Sequence, residues 1–503
     1  MTRDLRWPIP TCPQGLTSKT FKPPPMAPYM NLPNIFDWHL QNSPQHPFYV
    51  YSKGANSKDN SITTVTWGEA VKIIYRIAGI VSTAVGPEKE NAPKPLVGMY
   101  CSLESLTYML TAMGVICAGY TVILLSDKAS PATLEHLIVE SGVAHILTNA
   151  DDEILASRLS NVREKLKHGV TVSTIPSWSE ISGEGETCST ALPELNRWTH
   201  GMIYNLMWSP WFGDREICGE IMSTCSIPMG GLSVLMQTLL GACSGLITAG
   251  FPPLNRKPEP TLENVWNTLI VTGSTFGYLP LPYLAVWSEQ DDKVQRLSEL
   301  KGVLFAGAPL SKEVGDKLAA KGVNLISFYG SSEAGQIVRA FRHKHAGMNW
   351  EWFEFNPLIN PSLRNVSEDG VGELVLKFGP THRATRSNCT VDDLPAYATG
   401  DILEPHPTIP RLWRYVSRVS DQETIGANGP KVNVVAMARI LMTDPLISGA
   451  VLFCHSVGDL TVIGVIIEPA IENLVTLDSV REFKNDIWKA DYREVQYCSP
   501  RPG

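Results

Sequence analysis

Short β-rich runs alternate with stretches of helical period along most of this chain, and that alternation narrows the available folds more than any other feature. Thr66-Trp67-Gly68-Glu69-Ala70 opens a helical stretch that runs to residue 81, and Leu96-Val97-Gly98-Met99-Tyr100 has the composition of a strand. Residues 103–117 have helical spacing, Thr121-Val122-Ile123-Leu124-Leu125 is again a strand, and residues 144–148 are similar. Val303-Leu304-Phe305-Ala306 and Leu325-Ile326-Ser327-Phe328 bracket a helix that begins after Ser311. This βαβ cadence predicts an α/β protein whose large N-terminal domain holds mixed and parallel sheets flanked by helices. β character resumes at Glu373-Leu374-Val375-Leu376-Lys377, and a smaller α+β segment with strands near 450–454 and 460–467 follows a boundary at 417–421. The expected division is an irregular, proline-rich segment at 1–30, a core at 31–419 and a small C-terminal subdomain at 420–503.

Bulk properties exclude several classes. The 503 residues are 44% hydrophobic and 18% charged, as in an ordinary globular protein. A formal net charge of −8 argues against a nucleic-acid binder, which needs basic surface, and the basic cluster at 339–344 reads as a solvated loop. The ten cysteines form no CxxC pair, so reduced, mostly buried thiols and an intracellular, cytoplasmic setting are expected. His343 and His345 have no partners at ligand spacing, which disfavours a metal there. The N-terminus lacks an apolar core of signal-peptide length. The most apolar stretch, 234–251, contains Gln237, Thr238, Ser244 and Thr248 with three glycines, so it reads as a buried helix and strand, with no membrane span. Asn365-Val366-Ser367 and Asn388-Cys389-Thr390 match glycosylation sequons that matter only after secretion. No period of 20 to 50 residues repeats.

Ligands of parallel α/β sheets sit at the carboxyl ends of the strands. Gly307-Ala308-Pro309 follows one predicted strand and Tyr329-Gly330-Ser331-Ser332-Glu333 the next, so the two can wall one pocket. Tyr329 offers an aromatic face, and glycines at 307 and 330 permit close backbone approach. Ser332 and Glu333 suit phosphate and Mg²⁺ contact. Tyr397-Ala398-Thr399-Gly400-Asp401 and then Arg418 add a carboxylate able to accept ribose hydroxyl protons and a guanidinium able to reach ribose or phosphate. Each motif alone is ordinary turn chemistry; their order and spacing carry the argument.

That ordered set resembles the nucleotide-binding core of the adenylate-forming, AMP-binding superfamily, and the chain is similar to the adenylation domain of fungal adenylate-forming reductases and synthetase-like proteins. The likeness runs from Ile35-Phe36-Asp37-Trp38-His39 to about Ile467, with Phe305 to Asp316, Tyr397 to Pro407 and Gly429-Pro430-Lys431-Val432-Asn433 as its most specific stretches. The resemblance implies ATP-dependent activation of a small-molecule carboxylic acid, an AMP-binding adenylation core at 31–419 and a truncated C-terminal lid at 420–503. It implies Ser332 and Glu333 as catalytic, with Glu333 also holding Mg²⁺. It implies nucleotide contacts from Ala306, Gly307, Ala308, Pro309, Ser327, Tyr329, Gly330, Ser331 and Ser332, with Tyr329 on adenine. Asp401 and Arg418 would hold the ribose, and Ser189 and Thr190 would contact phosphate. CoA or a phosphopantetheine carrier is the implied thiol acceptor, while no carrier-protein site and no reductase fingerprint follows in this chain.

The sequence departs from the family where phosphates are held. The family loop reads roughly T-S-G-S-T-G-x-P-K before T-H; aligned on Trp198-Thr199-His200, this chain has Cys188 and Ala191 for the glycines and Glu194 for the lysine. A reversed charge at about 4 Å and an effective dielectric near 20 is worth about 4 kcal/mol before screening. Ile227-Pro228-Met229-Gly230-Gly231 lacks the family's histidine, the hinge reads Ser420-Asp421, Ala438 replaces a typical Glu, and neither Lys484 nor Lys489 matches the late catalytic lysine. Three readings stay open on sequence: a divergent acid-activating ligase, a non-catalytic protein retaining an AMP-type pocket, and a decayed or truncated product. Phe276, Tyr278, Pro282 and Tyr283, with Ala306 and Gly330, either line the acid pocket or are simply core.

Overall fold

The computed structural model describes residues 8–26, 30–52, 61–86, 95–127, 129–149, 152–166, 169–175, 178, 197–227, 232–253, 259–339, 341, 347–419, 422–424, 431–433, 437, 441, 447–457 and 460–469. The chain divides into two compact units: Met1–Pro361 with Leu376–Tyr397 and Thr408–Leu412, and Ser362–Val375 with Ala398–Pro407 and Trp413–Gly503.

The first unit is built on two largely parallel sheets. The larger runs, in spatial order, Leu325–Ser327, Gly302–Phe305, Phe276–Tyr278, Ile221–Ser223, Ile247–Gly250, Pro47–Ser52 and Ile62–Thr66, with the last pair antiparallel. The smaller is wholly parallel, in the order Thr121–Leu125, Leu96–Tyr100, His145–Thr148, Thr171–Thr174. Parallel neighbours need a crossover, and the intervening helices provide it. The predicted helix and strand at 234–251 are Leu232–Ser244 and Ile247–Gly250, the strand buried throughout. No helix among the described residues is long and apolar enough to cross a membrane, and no disulfide joins the described cysteines.

Local chemistry explains where the elements begin and end. Helix Trp67–Val85 starts in a reciprocal capping box between Thr66 and Glu69 and stops at Gly86, whose φ is 87°. The sequence predicts its end at 81, because the last turn faces solvent and has no apolar period. Helix Ser105–Cys117 starts two residues later than predicted, because Glu104 caps it: the fully buried carboxylate accepts from Leu106 N at 2.7 Å and Thr107 N at 2.6 Å. Helix Pro131–Ser141 is bounded by Ser130 as N-cap and by left-handed Gly142. A core containing Phe36, Trp67, Ile74, Met109, Tyr204 and Trp208 fills the space between these helices and the sheets.

Arg339 is not the solvated residue that its basic cluster suggests; 340 and 342–346, including His343 and His345, lie outside the described residues. Its guanidinium pairs with Asp214 and Glu354 and donates to Phe212 O at 2.6 Å and Thr11 Oγ1 at 3.2 Å, tying the N-terminal segment to this unit. Gln14, wholly buried, does the same through Nε2 to Pro210 O and Oε1 from Ile217 N.

The second unit is antiparallel among its described residues. The later part of strand Leu394–Pro405 pairs with Trp413–Arg418, Gln422–Thr424 pairs with Lys431–Asn433, and Ile447–Val457 forms a long ribbon with Leu460–Pro469.

Candidate active site

Adjacent parallel strands set two of the motifs side by side. Phe305 stands opposite Ser327, and Phe328 N donates to Phe305 O at 2.9 Å, so both strands run out together into Ala306-Gly307-Ala308-Pro309 and Phe328-Tyr329-Gly330. Gly307 has φ 89° and a Cβ there would meet nothing within 4 Å, so the glycine serves a turn that opens away from neighbouring atoms. Ser311 then caps helix Lys312–Ala320. Gly330 has another role. It pairs with Gln336 in a tight hairpin, and a Cβ on it would lie 2.3 Å from Gly335 O. The bare Cα is needed by the hairpin itself.

Ser332, Glu333 and Ala334 form the turn of this hairpin, closed by Ala334 N donating to Ser331 Oγ at 3.2 Å. Tyr329, at its base, is half-buried and stacks on Phe353 with centroids 5.3 Å apart and planes at 28°. Trp198 Nε1 donates to Ser332 O at 3.0 Å, so the Trp-Thr-His marker used to align the phosphate loop lies against this turn. The loop itself, with Ser189, Thr190, Cys188, Ala191 and Glu194, lies outside the described residues, as do Pro228 to Gly231.

A contact the motifs did not foretell comes from residues 379–386. His382 Nε2 lies 2.7 Å from Ala334 O, and Thr385 N donates to Glu333 O at 2.7 Å. A carbonyl only accepts, so His382 carries its proton on Nε2; burial pushes its pKa down and keeps the ring neutral. Arg386 Nη2 stands 3.5 Å from Glu333 Oε1, where the side chains are 54% and 16% exposed. The signal that could have found this segment is its density of basic residues, His382, Arg383 and Arg386, between two strands.

The proposed acid-pocket residues separate. Phe276 is wholly buried core, edge-on to Phe341 at 5.7 Å. Pro282 is exposed, and Tyr283 packs edge-on to Trp287. Tyr278 leans on Phe328 at 5.6 Å in the cluster that includes Ala306, and burial pushes its hydroxyl up to about 12. This group and Gly330 lie at the strand ends.

In the second unit, Asp401 and Arg418 are opposite residues of an antiparallel pair, with Arg418 Nε donating to Asp401 Oδ1 at 2.9 Å. The Asp401 side chain is 4% exposed, that of Arg418 53%. Gly400, at φ 76°, donates its N–H to Glu373 Oε1 at 3.2 Å, and Thr399 Oγ1 accepts from Asp401 N at 3.1 Å. Glu373 in turn takes both Nε and Nη2 of Arg364. The Thr-Gly-Asp motif is thus held by its own unit through hydrogen bonds on either side. Ser420, Asp421, Gly429, Pro430, Ala438, Lys484 and Lys489 lie outside the described residues.

Solved structures share this two-sheet fold. The chain superposes on the o-succinylbenzoate CoA synthetase of Bacillus subtilis in complex with its acyl-adenylate with a TM-score of 0.67 at 15% identity, covering 91% of this chain and 92% of that one. The same synthetase in complex with ATP and magnesium gives 0.66 at 14% identity over 90% and 92%. No protein-family model matches the chain. By sequence it is 32% identical over 96% of its length to adenylate-forming reductase Nps10 of Heterobasidion annosum, and 23% identical over 94% to Nps11 of Serpula lacrymans, covering 47% and 45% of those proteins. Its homologues are fungal adenylate-forming reductases and synthetase-like proteins, and its structural neighbours are acid-adenylating enzymes. It spans about half the length of the curated relatives it matches.

Proposed function

We propose that this chain binds ATP and a small carboxylic acid and joins them as an acyl adenylate. The observation that carries the proposal is the common ending of two neighbouring parallel strands, Phe305 opposite Ser327, in the two motifs that an adenylating pocket needs. In the reaction a carboxylate oxygen of the acid attacks the α-phosphorus, the bond to the bridging oxygen breaks, and pyrophosphate leaves with that electron pair. Positioning and charge stabilisation supply the acceleration.

In this reading Tyr329 receives adenine on its ring, and the 306–309 turn bounds the nucleotide with Ser327, Gly330 and Ser331. Ser332 donates its hydroxyl to phosphate. Asp401 accepts ribose hydroxyl protons through its carboxylate while Arg418 holds that carboxylate in place. Glu333 suits Mg²⁺, an ion commonly held by one or two carboxylates together with phosphate oxygens and water. The described residues contain no cluster of three or more metal-ligating side chains, so the remaining ligands would come from nucleotide and solvent. When bound, the ion neutralises phosphate charge. Tyr278, Phe328 and Ala306 make the strand-end acid subsite apolar. The expected acceptor of the acyl group is a thiol, from CoA or a phosphopantetheine arm.

A second reading, an AMP-binding protein without turnover, is favoured by one observation: Glu194 stands where the family has a lysine, beside Cys188 and Ala191 for its glycines. Pyrophosphate exchange separates the two. The chain is assayed with ATP, Mg²⁺ and a panel of aryl and aliphatic acids, beside a variant combining Glu194→Lys, Cys188→Gly and Ala191→Gly. Exchange by the unmodified chain supports the enzyme. Exchange only after repair identifies the loop as the lesion and supports the second reading. Failure of both proteins to bind AMP in calorimetry would overturn each reading.

A further inference from the structure

The turn carrying Glu333 is gripped from outside its own hairpin. Thr381 Oγ1 donates to Leu358 O at 2.6 Å, His382 Nε2 donates to Ala334 O at 2.7 Å, and Thr385 N donates to Glu333 O at 2.7 Å. These contacts fix the backbone of residues 381–385 along the turn and deliver the Arg386 guanidinium to within 3.5 Å of Glu333 Oε1. The pair is uneven: the carboxylate is 16% exposed, whereas Arg386 is 54% exposed on a long stem. An ion pair this open does little for stability. It does keep a guanidinium, a planar fork matched to phosphate oxygens, beside a carboxylate suited to Mg²⁺.

The charge inventory of the motif makes that cation significant. The segment aligned with the phosphate loop carries Glu194 where a lysine is expected, and the chain leaves that segment at Trp198, bonded to Ser332 of this same turn. We propose that Arg386 is the phosphate-contact cation of this chain: it pairs with Glu333 and, when ATP binds, moves to the β- and γ-phosphates, freeing Glu333 for Mg²⁺. The inference depends on the acid-adenylating reading above.

Calorimetric titration of ATP and of AMP, each with and without Mg²⁺, tests it on the wild-type chain and on Arg386→Gln, Arg386→Lys and Glu333→Gln. Arg386→Gln is expected to weaken ATP by about tenfold or more, equivalent to about 1.4 kcal/mol, and AMP by less than about threefold. Arg386→Lys should recover much of the ATP loss. Glu333→Gln, which removes the competitor for the guanidinium, should leave Mg²⁺-free ATP binding equal or tighter. An ATP-to-AMP affinity ratio unchanged by Arg386→Gln, or Mg²⁺-free ATP binding weakened by Glu333→Gln, overturns the proposal while leaving the adenylating reading in place. A wild-type chain that binds neither nucleotide overturns both. Should Arg386→Gln fail to fold, the lysine and Glu333 variants decide by the same criteria.

Discussion

Asp401 is a carboxylate almost entirely removed from water, with one oxygen accepting from the exposed Arg418. Burying a charge is costly unless it is paired, and this one is paired within its own antiparallel register. Asp401→Asn preserves shape and removes the charge. Hydrogen bonds to charged groups contribute about 1.5–3 kcal/mol, so AMP affinity should fall roughly 10- to 100-fold in a calorimetric titration. AMP binding unchanged by Asp401→Asn would refute the ribose role. The sequence singles out Asp401 and Arg418 as candidates through the order of their motifs. It could not reveal Arg386 beside Glu333, because that contact joins a loop to a hairpin 53 positions away.

At the scale of elements, helices Trp67–Val85 and Ser105–Cys117 pack so closely that a Cβ on Gly114 would lie 2.5 Å from Ile77 Cγ2 and 3.1 Å from Ile74 O. Glycine costs a helix about 1 kcal/mol against alanine, so its presence here answers packing. Gly114→Ala should destabilise the protein by about 1–3 kcal/mol despite its better helix propensity, read as a lower midpoint in thermal or denaturant unfolding. Gly79→Ala, on the first of these helices with nothing within 4 Å of the added Cβ, is the control and should be neutral or stabilising. The periodicity of both helices was legible; this point of closest approach was not, because no local pattern distinguishes Gly114 from Gly79.

At the scale of the whole molecule, the N-terminal segment is bound to the first unit around two histidines. His39, wholly buried, lies 2.7 Å through Nε2 from Ala242 O and stacks on Trp67 at 4.4 Å and Phe21 at 5.5 Å. His46 lies 2.9 Å from Gly245 O and 3.0 Å from Thr20 Oγ1. Burial lowers the pKa of His39 from 6.5 to about 3 and also lowers that of His46. His39 is therefore neutral when folded and His46 is harder to protonate than in the unfolded chain, which takes up protons below about 6.5, so their contribution to stability is complete above that pH and is lost as pH falls. For His39 the loss is about 1.4 kcal/mol per pH unit down to about pH 3. Unfolding midpoints between pH 7.5 and 4.5 should fall, and His39→Phe should flatten the slope even if it lowers the midpoint at pH 7.5. A slope unchanged by the substitution would exclude His39 as its source.

The chain's alternating periods and the order of its glycine-bounded motifs are local properties, and by themselves they determined the α/β class, the crossover helices, the strands near 303–328 and the likeness to adenylate-forming proteins. The partnerships were decided by tertiary structure. Parallel pairing aligned Phe305 with Ser327, and antiparallel pairing set Asp401 against Arg418. Packing assigned Gly330 to its own hairpin and Phe276 to the core. A loop with no secondary-structure signature brought Arg386 to Glu333. The physical reason is that propensity and periodicity act over a few residues, whereas burial and hydrogen-bond satisfaction are fixed only when segments distant in the chain meet.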